Sequence, residues 1–253
     1  MRGYQSETYG ERIAGLYDEW YADLPQTEEC LERLAELAGP GPVLELGVGT
    51  GRLAVPLVER GLEVHGVDNS RAMLEELAAK PGGERVHAIV GDFAELDAAV
   101  GTAAAFTVVF VAINTLFMLP TQEQQVRCFQ TVAPRLAEGG LFVVEAFVPD
   151  PSRYRGGYRD GGQELRVHHL SSDALVISAA LHDPVAQQIQ AQQVLLRADR
   201  IHLVPGVLRY AWPAELDLMA RLAGLRLRER WGGWCREPFT AASRTHVSLY
   251  ERA

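Results

Sequence analysis

Cysteine is scarce in this chain, and so is positive charge. Cys30, Cys128 and Cys235 stand far apart in 253 residues and are odd in number. That disfavours a disulfide framework, and no metal-ligand spacing accompanies them, so three reduced thiols are expected. Basic residues number 24 against 33 acidic ones, a net charge of −9. General nucleic-acid and anionic-membrane binders need a basic surface, so neither nucleic acid nor membrane is expected as a partner. Lysine is nearly absent, Lys80 being the single one, which distinguishes no function. No apolar run reaches the roughly 18 residues that a membrane span requires. Internal repeats and low-complexity segments are missing too. A cytoplasmic enzyme is the expectation.

What is present is an apolar content of 47%, enough for one large α/β domain. The most informative stretch is Val43-Leu44-Glu45-Leu46-Gly47-Val48-Gly49-Thr50-Gly51. A short apolar run predicts a buried strand, three alternating glycines a tight turn, and Arg52–Leu62 a helix. Strand, glycine turn and helix open a nucleotide-binding βαβ unit, because a ligand must lie against bare backbone there. A dinucleotide site wants a small residue where this chain has Arg52, and Glu45 at the strand end is foreign to a pyrophosphate site.

The rest of the pattern extends this unit. Helices are predicted over 6–21 and about 26–38, the second stopped by Gly39-Pro40-Gly41-Pro42. Strands follow at Glu63–Val67, Val86–Val90, Phe106–Ile113 and Leu141–Val148. Asn69 or Ser70 caps a helix to Lys80, and Pro120-Thr121 opens one to about Ala137, ended by Gly139-Gly140. This alternation implies a parallel sheet covered on both faces. Residues 149–162 read as a loop. Arg166–Leu170, Ala174–Leu181, Gln187–Leu196 and Ile201–Val207 then suit an antiparallel insert. Its Gln alternation suggests that one face is solvated or lines a cavity. A helix at Pro213–Ala223 and strands at Leu225–Trp231 and His246–Tyr250 close the chain. The expected fold is α/β: a seven-stranded doubly wound, Rossmann-like sheet with an antiparallel β insert after strand five. Its parts are a helical lid segment (1–40), a cofactor-binding core (41–150), the insert over the substrate (151–210) and the last helix and strands (211–253).

Three acids mark the candidate site. Asp68 ends the second strand, where a carboxylate accepts from both ribose hydroxyls. Asp92, followed by Phe93, ends the third, where a carboxylate accepts from an adenine amine. Each acid taken alone reads equally well as a turn cap. Together with Glu45 they fall on three successive strand ends. Tyr9 and Tyr17 lie eight residues apart on one helix face, where aromatic faces suit a sulfonium cation; packing on the core is the competing reading. Asn114 and Phe117 follow strand four, either at the reacting groups or in a turn. His168, His169, His182 and His202 show no ligand spacing, so no metal is expected. Trp231 and Trp234 read as core.

Read together, Glu45 to Gly51, Asp68-Asn69, Asp92-Phe93 and Asn114-Thr115-Leu116-Phe117 resemble the successive motifs of class I S-adenosylmethionine-dependent methyltransferases, over nearly the whole chain. The resemblance implies S-adenosyl-L-methionine as cofactor. Glu45, Gly47, Gly49, Gly51 and Ala112 would serve the methionyl end, Asp68 and Asn69 the ribose, and Met73, Asp92 and Phe93 the adenine. Tyr9, Tyr17 and Phe117 would form the catalytic pocket. The N-terminal segment and the insert look like N-methyltransferases of amino sugars, glycine-type amines and antibiotics, and the whole chain is similar to those of lincosamide biosynthesis, of the celesticetin and lincomycin type. The implied partner is a small-molecule amine, at the proline-ring nitrogen of an N-demethyl lincosamide precursor, and the implied assembly is a homo-oligomer. O-methylation, amino-sugar N-methylation and a non-catalytic cofactor-binding regulator stand as alternatives. A nicotinamide dehydrogenase is disfavoured by Arg52 and Asp92-Phe93.

Overall fold

The computed structural model describes residues 1–100, 105–150 and 163–253. Most of the loop read at 149–162 therefore lies outside the described residues. Seven strands form the core sheet: β1 (Val43–Leu46), β2 (Val64–Asp68), β3 (His87–Val90), β4 (Phe106–Val111), β5 (Leu136–Phe147), β10 (Leu225–Trp231) and β11 (Thr245–Arg252). Their order is β10-β11-β5-β4-β1-β2-β3. β1 to β5 pair in parallel, and β11 runs antiparallel between β5 and β10. The order reverses between β4 and β1, the point at which doubly wound sheets bind their ligands.

Alternate strand residues feed two cores. On one face Leu44, Leu46, Val109 and Phe142 pack with Phe129 of α6 (Gln122–Val132) and Leu216 and Met219 of α7 (Pro213–Leu222). On the other, Val43, Val108 and Val143 pack with Leu31 and Leu34 of α2 (Thr27–Ala38) and Leu57 of α3 (Ala54–Glu59). Trp231 and Trp234 are buried in this second core, as read. α4 (Arg71–Ala79) is capped by Ser70, whose hydroxyl accepts from Met73 N. A short helix, α5 (Leu96–Val100), has no counterpart in the sequence reading.

One element differs outright. The helix expected to reach Ala137 stops at Val132, and Ala133–Arg135 form a single 3₁₀ turn. Pro134 has no N–H to continue the ladder. Gly139 and Gly140 fall inside β5 instead, where the register to β4 shifts between Phe106 and Val108. Gly139 takes a φ of 71°, and a Cβ on Gly140 would sit 2.8 Å from the Phe106 carbonyl oxygen.

The insert is a second sheet of four antiparallel strands in the order β6 (Gln163–Leu170), β7 (Ala174–Asp183), β8 (Gln188–Arg197), β9 (Arg200–Arg209). A buried polar cluster fixes it to the core. Arg209 donates to Gln125 Oε1 at 2.7 Å and Glu215 Oε1 at 2.7 Å, and Gln125 Nε2 donates back to the Arg209 carbonyl at 2.6 Å. α1 (Thr8–Trp20) spans both layers through a small core of Ile13 and Ala14 with Met73 of α4 and Val204 of β9. No described helix is long and apolar enough to cross a membrane.

Candidate functional site

Where α1, the carboxyl ends of β1 to β4 and the inner face of the insert meet, they enclose a cavity of about 320 Å³. Nine expected residues line it: Tyr9, Tyr17, Gly47, Gly49, Asp68, Asn69, Met73, Asp92 and Phe93. The Asp68 carboxylate is the hinge of the arrangement. Its Oδ2 accepts from Gly49 N at 2.9 Å and its Oδ1 from Ser70 N at 2.9 Å. One side chain thus joins the glycine turn to the cap of α4, and an ionised carboxylate has lone pairs left for hydroxyl donors. Burial raises its pKa against those bonds. Asp92 is held by Ala94 N, 2.8 Å from its Oδ1.

The three glycines do different work. All have positive φ, where a side chain is strained. A Cβ on Gly47 would meet Thr115 Cγ2 at 2.4 Å, and one on Gly51 would meet Leu77 Cδ1 at 2.2 Å. Gly49 has open space before it and only Met73 Sδ at 4.0 Å. Gly51 therefore seats the turn on α4 and does not line the cavity.

Three other expected residues also lie behind the wall. Glu45 is only 5% exposed, and burial pushes its carboxyl up to about 8, outweighing the opposing pull of Arg52. Its Oε2 has no hydrogen-bond partner among the described residues. Ala112 is buried under the loop that follows β4. Phe117, expected either at the reacting groups or in a turn, is wholly buried and packs edge-on against Phe147, with centroids 5.1 Å apart. The alternation of the short 3₁₀ turn Thr115–Met118 sends Thr115 and Met118 to the cavity and Leu116 and Phe117 inward.

The loop itself is strained. Ile113 and Asn114 both line the cavity with φ of 46° and 64°, a conformation that a β-branched residue rarely adopts. Glu145 holds it: Oε2 accepts from Ile113 N at 2.9 Å, and the backbone oxygen accepts from Asn114 N at 3.2 Å. Asn114 Oδ1 in turn accepts from Phe147 N at 2.6 Å. Its side chain positions the loop.

Tyr9 and Tyr17 come together with Tyr21. The Tyr9 and Tyr21 hydroxyls lie 3.0 Å apart, and the Tyr17 and Tyr21 rings 4.6 Å. Burial raises Tyr9 well above its ordinary range and Tyr17 to about 12. Both phenols are therefore neutral at pH 7, able to donate a hydrogen bond or face a cation but not to act as bases.

Gly10 is needed for the close approach of α1 to Ser70, since a Cβ there would lie 2.5 Å from Ser70 Cβ. Ser70 also donates to Glu11 Oε1 at 2.8 Å, and Thr50 to Asp18 Oδ1 at 2.7 Å.

The sequence reading named no individual residue of the insert half of the wall. Ala191 and Gln193 of β8, Val204, Gly206 and Leu208 of β9, and Gln124 of α6 all line it. The amide oxygens of Gln124 and Gln193 are buried without a partner among the described residues. The alternation in β8 was the available signal; it puts Gln193, and not Gln190 or Gln192, on the cavity side. None of the four insert histidines lines the cavity. His182 is buried against Glu164, and His202 Nε2 lies 2.6 Å from the Arg12 carbonyl. Among the described residues, one group of metal-ligand chemistry does form across strands: the ligand atoms of Glu63, His65 and His87 lie within 4.8 Å of one another. None of them lines the cavity, and no step draws on them.

A nucleoside fits this donor and acceptor set. Asp68 and Asp92 stand at neighbouring strand ends as acceptors, with Met73 and Phe93 as apolar walls. Comparison with known proteins agrees. Residues 43–140 match the family model described as a methyltransferase domain. The chain is 33% identical over 211 residues to the cypemycin N-terminal methyltransferase of a Streptomyces species, covering 83% of this chain and 82% of that one. It is similar to the solved CcbJ methyltransferase from Streptomyces caelestis at 43% identity and a TM-score of 0.89, over 99% of this chain and 100% of the other. A likeness of fold alone, at 17% identity and a TM-score of 0.63, links it to the S-adenosylmethionine-bound amino pentose methyltransferase CalS10 from Micromonospora echinaspora, over 92% and 91% of the two chains.

Proposed function

Since the chain belongs to the S-adenosylmethionine-dependent methyltransferases, we propose that it methylates an amine nitrogen of a small natural product, the proline-ring nitrogen of an N-demethyl lincosamide precursor being the substrate of choice. One observation carries the reading: an enclosed cavity walled by neutral tyrosines, with no histidine or lysine among its lining residues. Attack by a neutral amine needs alignment and exclusion of water, which oriented reactions turn into roughly 7–11 kcal/mol. Attack by a hydroxyl calls for a His or Lys base or a metal beside the loop after β4; the described lining residues include neither His nor Lys, and the two carboxylates, Asp68 and Asp92, stand at the nucleoside end. The name of the cypemycin relative, an N-terminal methyltransferase, points to an amine as well.

When bound, S-adenosylmethionine supplies an electrophilic methyl group on a sulfonium. The chain's residues take these roles. Gly47 and Gly49 admit the methionyl chain against bare backbone. Asp68 with Asn69 accepts the ribose hydroxyls, and Asp92 with Phe93 and Met73 holds the adenine. Tyr9 and Tyr17 present ring faces to the cation, worth about 0.5–2 kcal/mol when desolvated, and orient the amine. Glu45, Gly51, Ala112 and Phe117 act from behind the wall by holding its shape. The amine enters as the free base, which a desolvated cavity favours. Gln124 and Gln193 offer acceptors to the donors of the substrate.

The test is incubation with methyl-labelled S-adenosylmethionine and a panel of demethylated lincosamides, amino sugars and phenols, with the label located by mass spectrometry. Label on the ring nitrogen is expected. Label on a sugar amine or on oxygen overturns the substrate choice, and calorimetric cofactor binding without transfer to any compound supports the non-catalytic alternative.

A further inference from the structure

The amino end of the core sheet carries two histidines and a glutamate that the methyl transfer does not use. The parallel register pairs His65 of β2 with His87 of β3, and their ring centroids lie 4.8 Å apart. Glu63 stands two positions before His65, where the alternation of an extended chain returns to the same face. Its carbonyl accepts from Val43 N at 2.9 Å, and its Oε1 lies 2.9 Å from His65 Nε2. An ionised carboxylate can only accept, so that nitrogen carries a proton. Phe106 holds the His65 ring edge-on from the core, with centroids 5.2 Å apart. Among the described residues His87 forms no hydrogen bond, and Glu63 forms no ion pair with lysine or arginine. Both therefore keep lone pairs for a further ligand. Strand pairing alone assembles the group, since the two histidines are remote in sequence.

We propose that Glu63, His65 and His87 form a zinc site that clips the edge strand β3 to β2. Two imidazoles and a carboxylate are a zinc donor set, and nitrogen ligands disfavour magnesium and calcium. Ligands about 2.0–2.1 Å from a tetrahedral zinc stand roughly 3.3 Å from one another. The three ligand atoms already lie within 4.8 Å of one another, and Glu63 and His87 are exposed side chains that rotate at little cost to close the rest. The ion takes the place of the proton between His65 and Glu63, the ring keeping one on Nδ1, and a water completes the site on its open side. β3 is an edge of the sheet, paired with β2, and of its four residues only Ile89 is not exposed. A strand with so little buried opens readily, yet it leads directly into Asp92 and Phe93 of the cavity. His65 precedes Asp68 by three residues, which puts the ion about 10 Å from the cavity wall. It braces the adenine end and takes no part in the transfer.

Calorimetric titration of the whole, untagged chain with zinc chloride in a non-chelating buffer tests this, with amide hydrogen exchange of β3 followed in parallel. One zinc per chain at micromolar affinity is expected, together with slower exchange along β3. His87→Asn and Glu63→Gln, each at an exposed position, are expected to weaken binding about tenfold or more, a loss that even an outer-shell partner of a metal causes, and to cancel the slowing, with circular dichroism unchanged. His168→Ala combined with His169→Ala, in the insert, leaves the affinity at the parent's value. A parent that binds no zinc overturns the proposal. So does binding that survives both His87→Asn and Glu63→Gln, binding that is lost with the insert pair, or bound zinc that leaves β3 exchange as it was.

Discussion

Glu45 combines the two properties that make a single residue's protonation visible in stability: it is fully buried, and one of its oxygens is unpartnered. Folding moves its carboxyl from an ordinary 4.5 to about 8, chiefly by desolvation. Below the unfolded value both states hold the proton, and the residue contributes no pH dependence. Between the two values the folded state keeps a proton that the unfolded state has lost, so stability falls as pH rises. Above about 8 the buried charge weighs in full. Urea melts are expected to show the unfolding free energy declining between pH 5 and 8, and Glu45→Gln, neutral and of the same shape, flattens that decline; a variant with an unchanged slope removes Glu45 as its source. The residue type and place of Glu45 were legible in the sequence, but its burial was not. Phe117 shows the same limit. A position three residues past Asn114 is readable, yet whether a 3₁₀ turn sends it to a cavity or to Phe147 depends on the strained Ile113 and on Glu145, thirty-two residues away.

Elements carry a different kind of information. The strands of the parallel sheet were readable because burial on both faces leaves continuous apolar runs, as in Phe106–Val111, and the α4 cap down to Asn69 or Ser70, of which Ser70 accepts from Met73 N. α6 was overrun because the two glycines at 139 and 140 outweighed Pro134 as a stop signal. The inner face of the insert was the hardest part, since Gln193 reaches the cavity only through hairpin registers that no short window contains. α1 shows how an apparent weakness turns into a requirement. Gly10 lowers helix propensity, and replacing it with alanine in a free helix gains up to about 1 kcal/mol. Here the added methyl group meets Ser70 Cβ at 2.5 Å and Oγ at 2.9 Å, on the residue that caps α4 and bonds Glu11. Gly10→Ala is therefore expected to weaken S-adenosylmethionine binding about tenfold or more in calorimetry while helix content by circular dichroism stays level or rises. Unchanged affinity means that α1 tolerates the displacement.

At the scale of the whole molecule, α1 leans on two bodies through charges that stand outside the cavity. Asp18 pairs with Lys80 of the core at 2.6 Å, and Glu19 with Arg197 of the insert at 2.8 Å. All four side chains are partly solvated, so each pair contributes about 0.2–1 kcal/mol and is screened as the Debye length shrinks from about 10 Å at 0.1 M salt to 3 Å at 1 M. If α1 acts as a lid that parts from both bodies when the demethylated cofactor leaves, both pairs break on release. Stopped-flow displacement is expected to show its release quickening between roughly two- and thirtyfold over that range of salt, a factor set by the two pairs together. Lys80→Ala combined with Arg197→Ala abolishes the acceleration; persistence of the full salt effect in that variant assigns it elsewhere. With that outcome the helix over the cavity is also its timer, and ionic strength, which does not enter the methyl transfer itself, sets the pace at which one turnover gives way to the next.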